Sequence, residues 1–452
     1  MTLNQIHSVY FIGIGGIGMS ALARFFKERG AVVSGYDKTK TVLTEKLQGE
    51  GMDIHYEDNL ALLNKQVDLV VYTPAIPSTH TELNWYLQNG YMVVKRSDVL
   101  QYISQSMQAI CVAGTHGKTT MSTMIAHVLR HSDYGCNAFL GGISANYGIN
   151  YWYNENQTAV IEADEYDRSF LKLFPYIAVL SAMDADHLDI YGNVEEMEKC
   201  YLQFVSQVKD TLIYKHGLKH SRLFTAPHTL TYSSQNDAAD YYAGDIVMQQ
   251  GSYHLTAYRR GERLGEMDLP LGGMHNIENA MAAVAVADLL EISFEAIAKA
   301  FAVFVGVKRR FEYIIRNNHQ VMIDDYAHHP EELRMLISSA RSLFPQQKVS
   351  VIFQPHLYSR TRDLVDGFAA SLDLADEVIL MDIYPARELP IEGVTSAIIA
   401  EKMSLSAVHI LSREGVLQWV ETARPSLLIT AGAGDIDTLV DPIKKILESA
   451  KS

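Results

Sequence analysis

At 452 residues the chain is too long for one ordinary core, and about two to four domains are expected. With 48% hydrophobic and 20% charged residues it has the composition of a globular protein, and a formal net charge of −15 argues against non-specific binding to nucleic acid or an anionic membrane. Three widely spaced cysteines without a C-x-x-C pair exclude a disulfide framework, and no apolar run reaches the roughly 18 residues of a membrane span, so a cytosolic protein is expected.

In chain order, residues 9–18 read as an apolar strand running into G-x-G-x-x-G (Gly13, Gly15, Gly18). An amphipathic helix over 19–29 is stopped by Gly30, and a second strand over 31–37 ends in Asp37. This is the fingerprint of a Rossmann-like nucleotide unit. The turn lets backbone approach a pyrophosphate, the helix N-terminus favours its charge, and Asp37 stands at the distance of a ribose or base contact. As a plain turn residue Asp37 would need no ligand, and the pattern does not single out NAD. Strands over 68–77 and 92–95 and a helix over 98–104 continue the α/β alternation. Residues 104–108 read as the first linker.

The next unit opens on an apolar strand (109–113), then Gly114-Thr115-His116-Gly117-Lys118-Thr119-Thr120, then a helix over 121–129. Strand, phosphate loop and helix in that order let loop N–H groups cradle phosphate, bring Lys118 to the β/γ-phosphates and place the Thr119 hydroxyl on Mg²⁺. Val112 stands where the usual first glycine would be, which points away from a generic NTPase motor. Two further apolar strands end in acids: 158–162 delivers Glu162, Asp164, Glu165 and Asp167, and 177–183 delivers Asp184, Asp186, His187 and Asp189. Oxygen-rich strand ends beside a phosphate loop suit Mg²⁺, although each cluster alone also reads as a solvated turn. Residues 209–270 read as short strands without chemistry. An Ala-rich helix over 280–290 follows, with Asn276 and Asn279 about one turn apart and able to present amides to a purine.

Residues 305–312 read as the second junction, with Arg310 able to reach back to phosphate. A third unit opens on a strand ending in Asp324-Asp325-Tyr326, with His328 and His329 before a helix that starts near Pro330. A strand ending at His356 is followed by a polar turn holding Arg360 and Arg362, then a helix. Further buried strands lie over 377–385 and 426–434. The histidines and arginines form a local basic rim on an acidic chain.

Taken together, Phe11–Ser20, Gly114–Thr120, Glu162–Glu165, Asp186–Asp189, His275-Asn276, Arg309–Glu312, Asp324–Pro330 and Phe353–His356 resemble the ATP-dependent Mur ligases of peptidoglycan synthesis, over essentially the whole chain. The resemblance implies three α/β domains: an N-terminal Rossmann-like UDP-sugar domain (1–106), a central P-loop ATP-binding domain (107–308) and a C-terminal Rossmann-like domain that receives the amino acid (309–452). It implies that Gly13, Gly15, Gly16, Gly18, Met19, Ser20, Asp37 and Thr73 receive a UDP-sugar rather than a dinucleotide. Gly114 to Thr120, Asn276, Asn279, Arg310 and Asp325 would surround ATP. Thr119, Glu162 and His187 would hold two Mg²⁺ ions. Tyr326, His328, His329, His356 and Arg360 would line the acceptor site, with Lys118, His187, His328, His329 and Arg360 in the catalytic set.

Sister ligases that extend the peptide carry a carbamylated lysine at a slot that falls here on Tyr201, with Lys199 out of register. The resemblance therefore implies the first-step reaction, in which L-alanine is joined to the carboxylate of UDP-N-acetylmuramate. Some alanine-adding relatives have Arg where this chain has Leu357. A recycling ligase that attaches a tripeptide to the same UDP-sugar is the nearest alternative. An NAD-dependent oxidoreductase would explain Gly13 to Gly18 but not Lys118-Thr119. A homodimer is compatible with this reading.

Overall fold

A computed structural model describes residues 5–184, 188–249, 251–386 and 388–449. Three sheets follow one another along the chain. The first has five parallel strands, β1 (Ser8–Ile12), β2 (Val32–Tyr36), β3 (Asp53–His55), β4 (Leu69–Tyr72) and β5 (Val93–Lys95), in the order β3-β2-β1-β4-β5. Winding reverses between β1 and β4, and an open parallel sheet has its ligand crevice at that reversal. The glycine loop leaves the C-terminal end of β1 there.

The second sheet has ten strands: β6 (Gln108–Ala113), β7 (Asn137–Phe139), β8 (Tyr151–Trp152), β9 (Thr158–Glu162), β10 (Ile177–Leu180), β11 (Thr211–Lys215), β12 (His228–Ser233), β13 (Tyr241–Gln249), β14 (Ser252–Arg259) and β15 (Glu262–Leu269). Their order is β15-β14-β13-β12-β11-β10-β6-β9-β7-β8. β6 lies between β10 and β9, parallel to both. The loop after β6 is therefore flanked by the ends of the two strands that carry the acids. The third sheet comprises β16 (Glu312–Arg316), β17 (Val321–Asp325), β18 (Val349–Phe353), β19 (Glu377–Leu380), β20 (Val408–Ile410) and β21 (Leu427–Ala431), ordered β16-β17-β21-β18-β19-β20. All its pairings are parallel except that of β16 with β17. The buried strands are unbroken apolar runs, as strands covered on both faces must be.

The chain forms two compact units. One holds the residues up to Gly244 with Thr256–Met267 and Ile277–Ala302; the other holds Asp245–Leu255, Asp268–Asn276 and the chain from Val303 on. Within the first unit a single hydrophobic cluster spans two sheets, running from Val9, Phe11 and Phe25 through Phe139 and Tyr151 to Cys111, Ile161 and Leu180. The second unit has its own cluster, with Met322, Ile352, Ile379 and Leu428 on strands and Val416, Val420, Ile436 and Ile443 from the chain around them.

Several expectations are corrected. Residues 104–108 are not a linker: the helix continues as Arg96–Ser106, and β6 starts at Gln108. Ser104 and Ser106 donate their hydroxyls back to Gln101 and Ile103 carbonyls (2.9 and 3.0 Å), so these polar residues bond within the helix instead of breaking it. The strands β13 to β15 are eight or nine residues long, not short. The Ala-rich helix begins earlier, spanning Met274–Leu289, and the polar stretch before the next helix is itself helical, Tyr358–Asp363. All three cysteines are buried and free. Among the described residues no helix is long and apolar enough to cross a membrane.

Candidate active site

In the first sheet the glycine loop is held by its own surroundings. The N–H groups of Gly13 and Ile14 donate to the Tyr36 carbonyl (2.8 and 3.0 Å), and Gly15 N–H donates to the Asp37 carboxylate at 2.7 Å. The other Asp37 oxygen accepts from Thr39 N–H at 3.1 Å. Asp37 thus braces the loop. Gly13 has φ +87°, and a β-carbon there would lie 2.9 Å from the Thr73 methyl, so Thr73 closes the loop from β4. Met19 and Ser20 do not face the crevice. Met19 is in the core, and Ser20 is buried with its hydroxyl on the Ile17 carbonyl. Gly16, ahead of the first helical turn, is exposed and Gly18 half-buried, whereas Met19 is covered by the core and Ser20 by the Asn150 amide.

The loop after β6 runs to Gly117, which caps the helix Lys118–His131 in the left-handed region at φ +79°. A β-carbon on Gly117 would also meet the Asn279 side-chain oxygen at 2.8 Å. Lys118 Nζ donates to the Gly114 carbonyl (2.7 Å) and to the buried Glu165 carboxylate (2.8 Å). Thr119 Oγ1 donates to Glu162 Oε1 at 2.9 Å, and Gly141 N–H donates to Glu162 Oε2 at 2.9 Å. Burial pushes the Glu162 carboxyl above its ordinary range, opposed by Lys118 and by these two hydrogen bonds. Thr115 is buried and accepts from Asp184 N–H, while the His116 ring is solvent-facing, 3.5 Å from Asp184. Thr120 is half-buried on the first helical turn.

Beside Glu162, the partner of Thr119, lies a cavity of about 230 Å³, lined by Gly18, Arg96, Gly141, Glu162 and Asp164 among others. One wall carries a helix N-terminus and a guanidinium, the other two carboxylates. Arg96 pairs with Asp164 at 3.1 Å. The expected metal ligand His187 lies outside the described residues, and so does Asp186. Among the described residues no group of three or more His, Cys, Asp or Glu is arranged to hold a metal ion.

In the second unit, β17, β21 and β18 are neighbours and end side by side. Asp325 accepts from Phe311 N–H (2.6 Å) and Ala327 N–H (2.7 Å), bracing the turn that presents Tyr326. Burial raises the Asp325 carboxyl and Arg310 opposes that rise. Arg309 and Arg310 both lie over the Tyr326 ring, at 5.1 and 5.4 Å. The His328 ring contacts the Tyr326 carbonyl (2.9 Å) and lies 6.1 Å from the His356 ring, centroid to centroid. Burial lowers the His328 pKa; Arg360 and Arg310 lower it further and Glu332 opposes them. His329 is exposed, with its backbone N–H on Glu332. Arg360 Nη1 is buried without a hydrogen-bond partner. Asn276 is buried and donates to the Gly272 carbonyl at 2.6 Å, so it is not the open amide expected; Asn279 is buried too, beside Gly117.

Three family models match consecutive parts of the chain: the Mur ligase family catalytic domain (residues 8–107), the Mur ligase middle domain (112–287) and the Mur ligase glutamate ligase domain (309–434). A UDP-N-acetylmuramate–L-alanine ligase of Parabacteroides distasonis is 47% identical, covering 99% of this chain and 98% of that protein. The chain belongs to the Mur ligase family. A protein of the same name from Flavobacterium johnsoniae is 45% identical, with 99% of both chains covered. Among solved structures, the UDP-N-acetylmuramate–alanine ligase of Thermotoga maritima superposes with a TM-score of 0.83 at 27% identity, covering 99% of this chain and 100% of that one. A murein peptide ligase of Psychrobacter arcticus shares the fold, with a TM-score of 0.69 at 21% identity over 99% of this chain and 100% of that one.

In this Mur ligase, several residues around the site gave no signal in the sequence. Glu165 was grouped with metal-type acids, yet it is the partner of Lys118. Arg96 falls between the expected strand and helix, and its place on the cavity depends on how two sheets pack. Arg309, part of the Arg309–Glu312 motif but given no role there, sits 3.5 Å from Asp324, a pairing that no local pattern reveals.

Proposed function

We infer that the protein joins L-alanine to the carboxylate of UDP-N-acetylmuramate, splitting ATP to ADP and phosphate, in the cytosolic assembly of peptidoglycan precursors. The observation that carries this reading is a phosphate loop bonded through Thr119 to Glu162, which lines one cavity with Gly18 of the nucleotide-type glycine motif, in a chain similar along its full length to ligases of that name. In this reading residues 1–106 take the UDP-sugar, 107–308 take ATP and 309–452 take alanine.

The muramoyl carboxylate oxygen attacks the γ-phosphorus, the bond to ADP breaks, and an acyl phosphate forms. Alanine's neutral amine then attacks the acyl carbon and phosphate leaves. Carboxylate and triphosphate repel each other, so the chain must supply positive charge where they meet. Lys118 exchanges Glu165 for the phosphates, and the loop N–H groups hold the rest. Thr119 and Glu162, with oxygens 2.9 Å apart, offer the hard donors that suit Mg²⁺, and His187 is assigned to the same site. Magnesium bound there would neutralise triphosphate charge. A depressed pKa keeps His328 neutral and able to accept the ammonium proton of alanine. The unpartnered Arg360 nitrogen suits the alanine carboxylate, with Tyr326 and His356 beside it.

Phosphate release is measured with ATP, Mg²⁺ and UDP-N-acetylmuramate, adding L-alanine or the recycling tripeptide. Release dependent on alanine, with product mass increased by one alanyl residue, is expected. Release only with the tripeptide would move the protein to the recycling reaction.

A further inference from the structure

The Asn150 side chain is fully buried and belongs to the loop that leads into β8, yet its hydrogen bonds go to the helix Ile17–Glu28 of the first sheet. Its Nδ2 donates to the Ile17 carbonyl (2.5 Å) and to Ser20 Oγ (3.1 Å). Its Oδ1 accepts from Arg24 Nη1 at 2.6 Å. Arg24 is only 6% exposed and is gripped on its other side by Glu50, at 2.8 and 2.9 Å. The amide therefore enters the first turn of the helix whose N-terminus follows the glycine loop.

From the same loop the path continues to the phosphate site. Leu140 N–H donates to the Asn150 carbonyl at 3.0 Å. The next residue, Gly141, donates its N–H to Glu162, which accepts from Thr119. Adjacent apolar packing, with Phe25 at 5.4 Å from the Phe139 ring and 6.2 Å from that of Tyr151, already holds the two sheets together. Apolar contact has no direction, and it tolerates a small slide or rotation. Three bonds to one amide do not. A buried Arg–carboxylate pair is also a poor way to add stability, because well-packed apolar residues serve as well. What it adds is a fixed register.

We propose that Asn150, held by Arg24, is a positioning residue that sets the distance between the UDP-sugar loop and the Thr119–Glu162 pair, and so aligns the muramoyl carboxylate with the γ-phosphorus. This rests on the ligase reading above. Neither Arg24 nor Asn150 lines the cavity, so each pocket should fill without them and only alignment should be lost. A misplacement of about 1 Å lowers turnover on the order of a hundredfold.

The test uses the full chain with Asn150→Ala and Asn150→Asp, the latter keeping size and the Arg24 contact while losing both donors. Dissociation constants for UDP-N-acetylmuramate and for ATP are measured separately by titration, kcat by phosphate release, and thermal unfolding confirms that each variant folds. The expected result is a kcat fall of about tenfold to a hundredfold, with each separate affinity within about twofold of the parent. An unchanged kcat in a folded variant overturns the proposal. So does a parallel loss of kcat and of the separate affinities, which would make Asn150 a support of the pockets rather than of their alignment. Parent protein that releases no phosphate with alanine would instead overturn the ligase reading.

Discussion

The two compact units solve the same problem differently. In the first, two sheets share one apolar cluster, and a cavity lined by Gly18, Arg96 and Glu162 lies beside it. In the second, one sheet carries its own core, and its candidate groups follow the ends of β17 and β18, the two neighbours of β21. The candidate nucleotide loops in the first unit are thus set by packing between sheets, and the candidate acceptor groups in the second by packing within one. Mutations should report that contrast.

The largest effect is expected at Phe25, which is buried in the shared cluster. Phe25→Ala should cost about 3–5 kcal/mol. Hydrogen exchange should quicken in β9 as well as in β1; quickening confined to the first sheet would show that the core is not shared. Next is Lys118→Ala, with a loss in kcat on the order of a hundredfold to a thousandfold. UDP-sugar affinity should remain near normal because the glycine loop is braced by Asp37. Near-normal phosphate release by that variant would remove Lys118 from the mechanism.

In the second unit, burial raises the Asp324 carboxyl to about 6, against the pull of Arg309. Because the folded form holds its proton more tightly than the unfolded chain, stability from this group is lost as pH rises from its unfolded value through about 6. Relative to Asp324→Asn, the parent should lose on the order of 3 kcal/mol between pH 4 and pH 7. Urea unfolding at the two pH values measures it, and a constant difference would contradict the assignment. The smallest effect is expected at Arg360. Arg360→Ala should raise KM for alanine by about tenfold to a hundredfold, with Arg360→Lys intermediate. An unchanged KM would place the alanine carboxylate elsewhere.

Much of this was legible in the chain. Glycine turns between an apolar strand and a helix announce themselves, because few other sequences permit that backbone, so Gly13 to Gly18 and Gly114 to Thr120 stood out. The strand-end acids were visible for the same reason. Roles that depend on long-range pairing were not. The Glu165 carboxylate comes to Lys118 from 47 positions away, and the Asn150 amide reaches Arg24 across 126. The burial of Met19 and Ser20 comes from the shared core and from the Asn150 amide, contacts that have no local pattern. The early start of the Ala-rich helix has no capping signal in its sequence, and Gly272-Gly273 before it read as a turn.

The contact between Lys118 and Glu165 bears on how the loop empties. Glu165 is an intramolecular competitor for the lysine, tethered at an effective concentration on the order of millimolar or higher. On the proposed role of Lys118, a phosphate group would have to displace Glu165 on arrival, and Glu165 would reclaim the ammonium as ADP departs. A stray phosphate ion would thereby be at a disadvantage against a triphosphate that makes many contacts at once. Product dissociation, a limit on turnover in many enzymes, would be hastened by a group already in place.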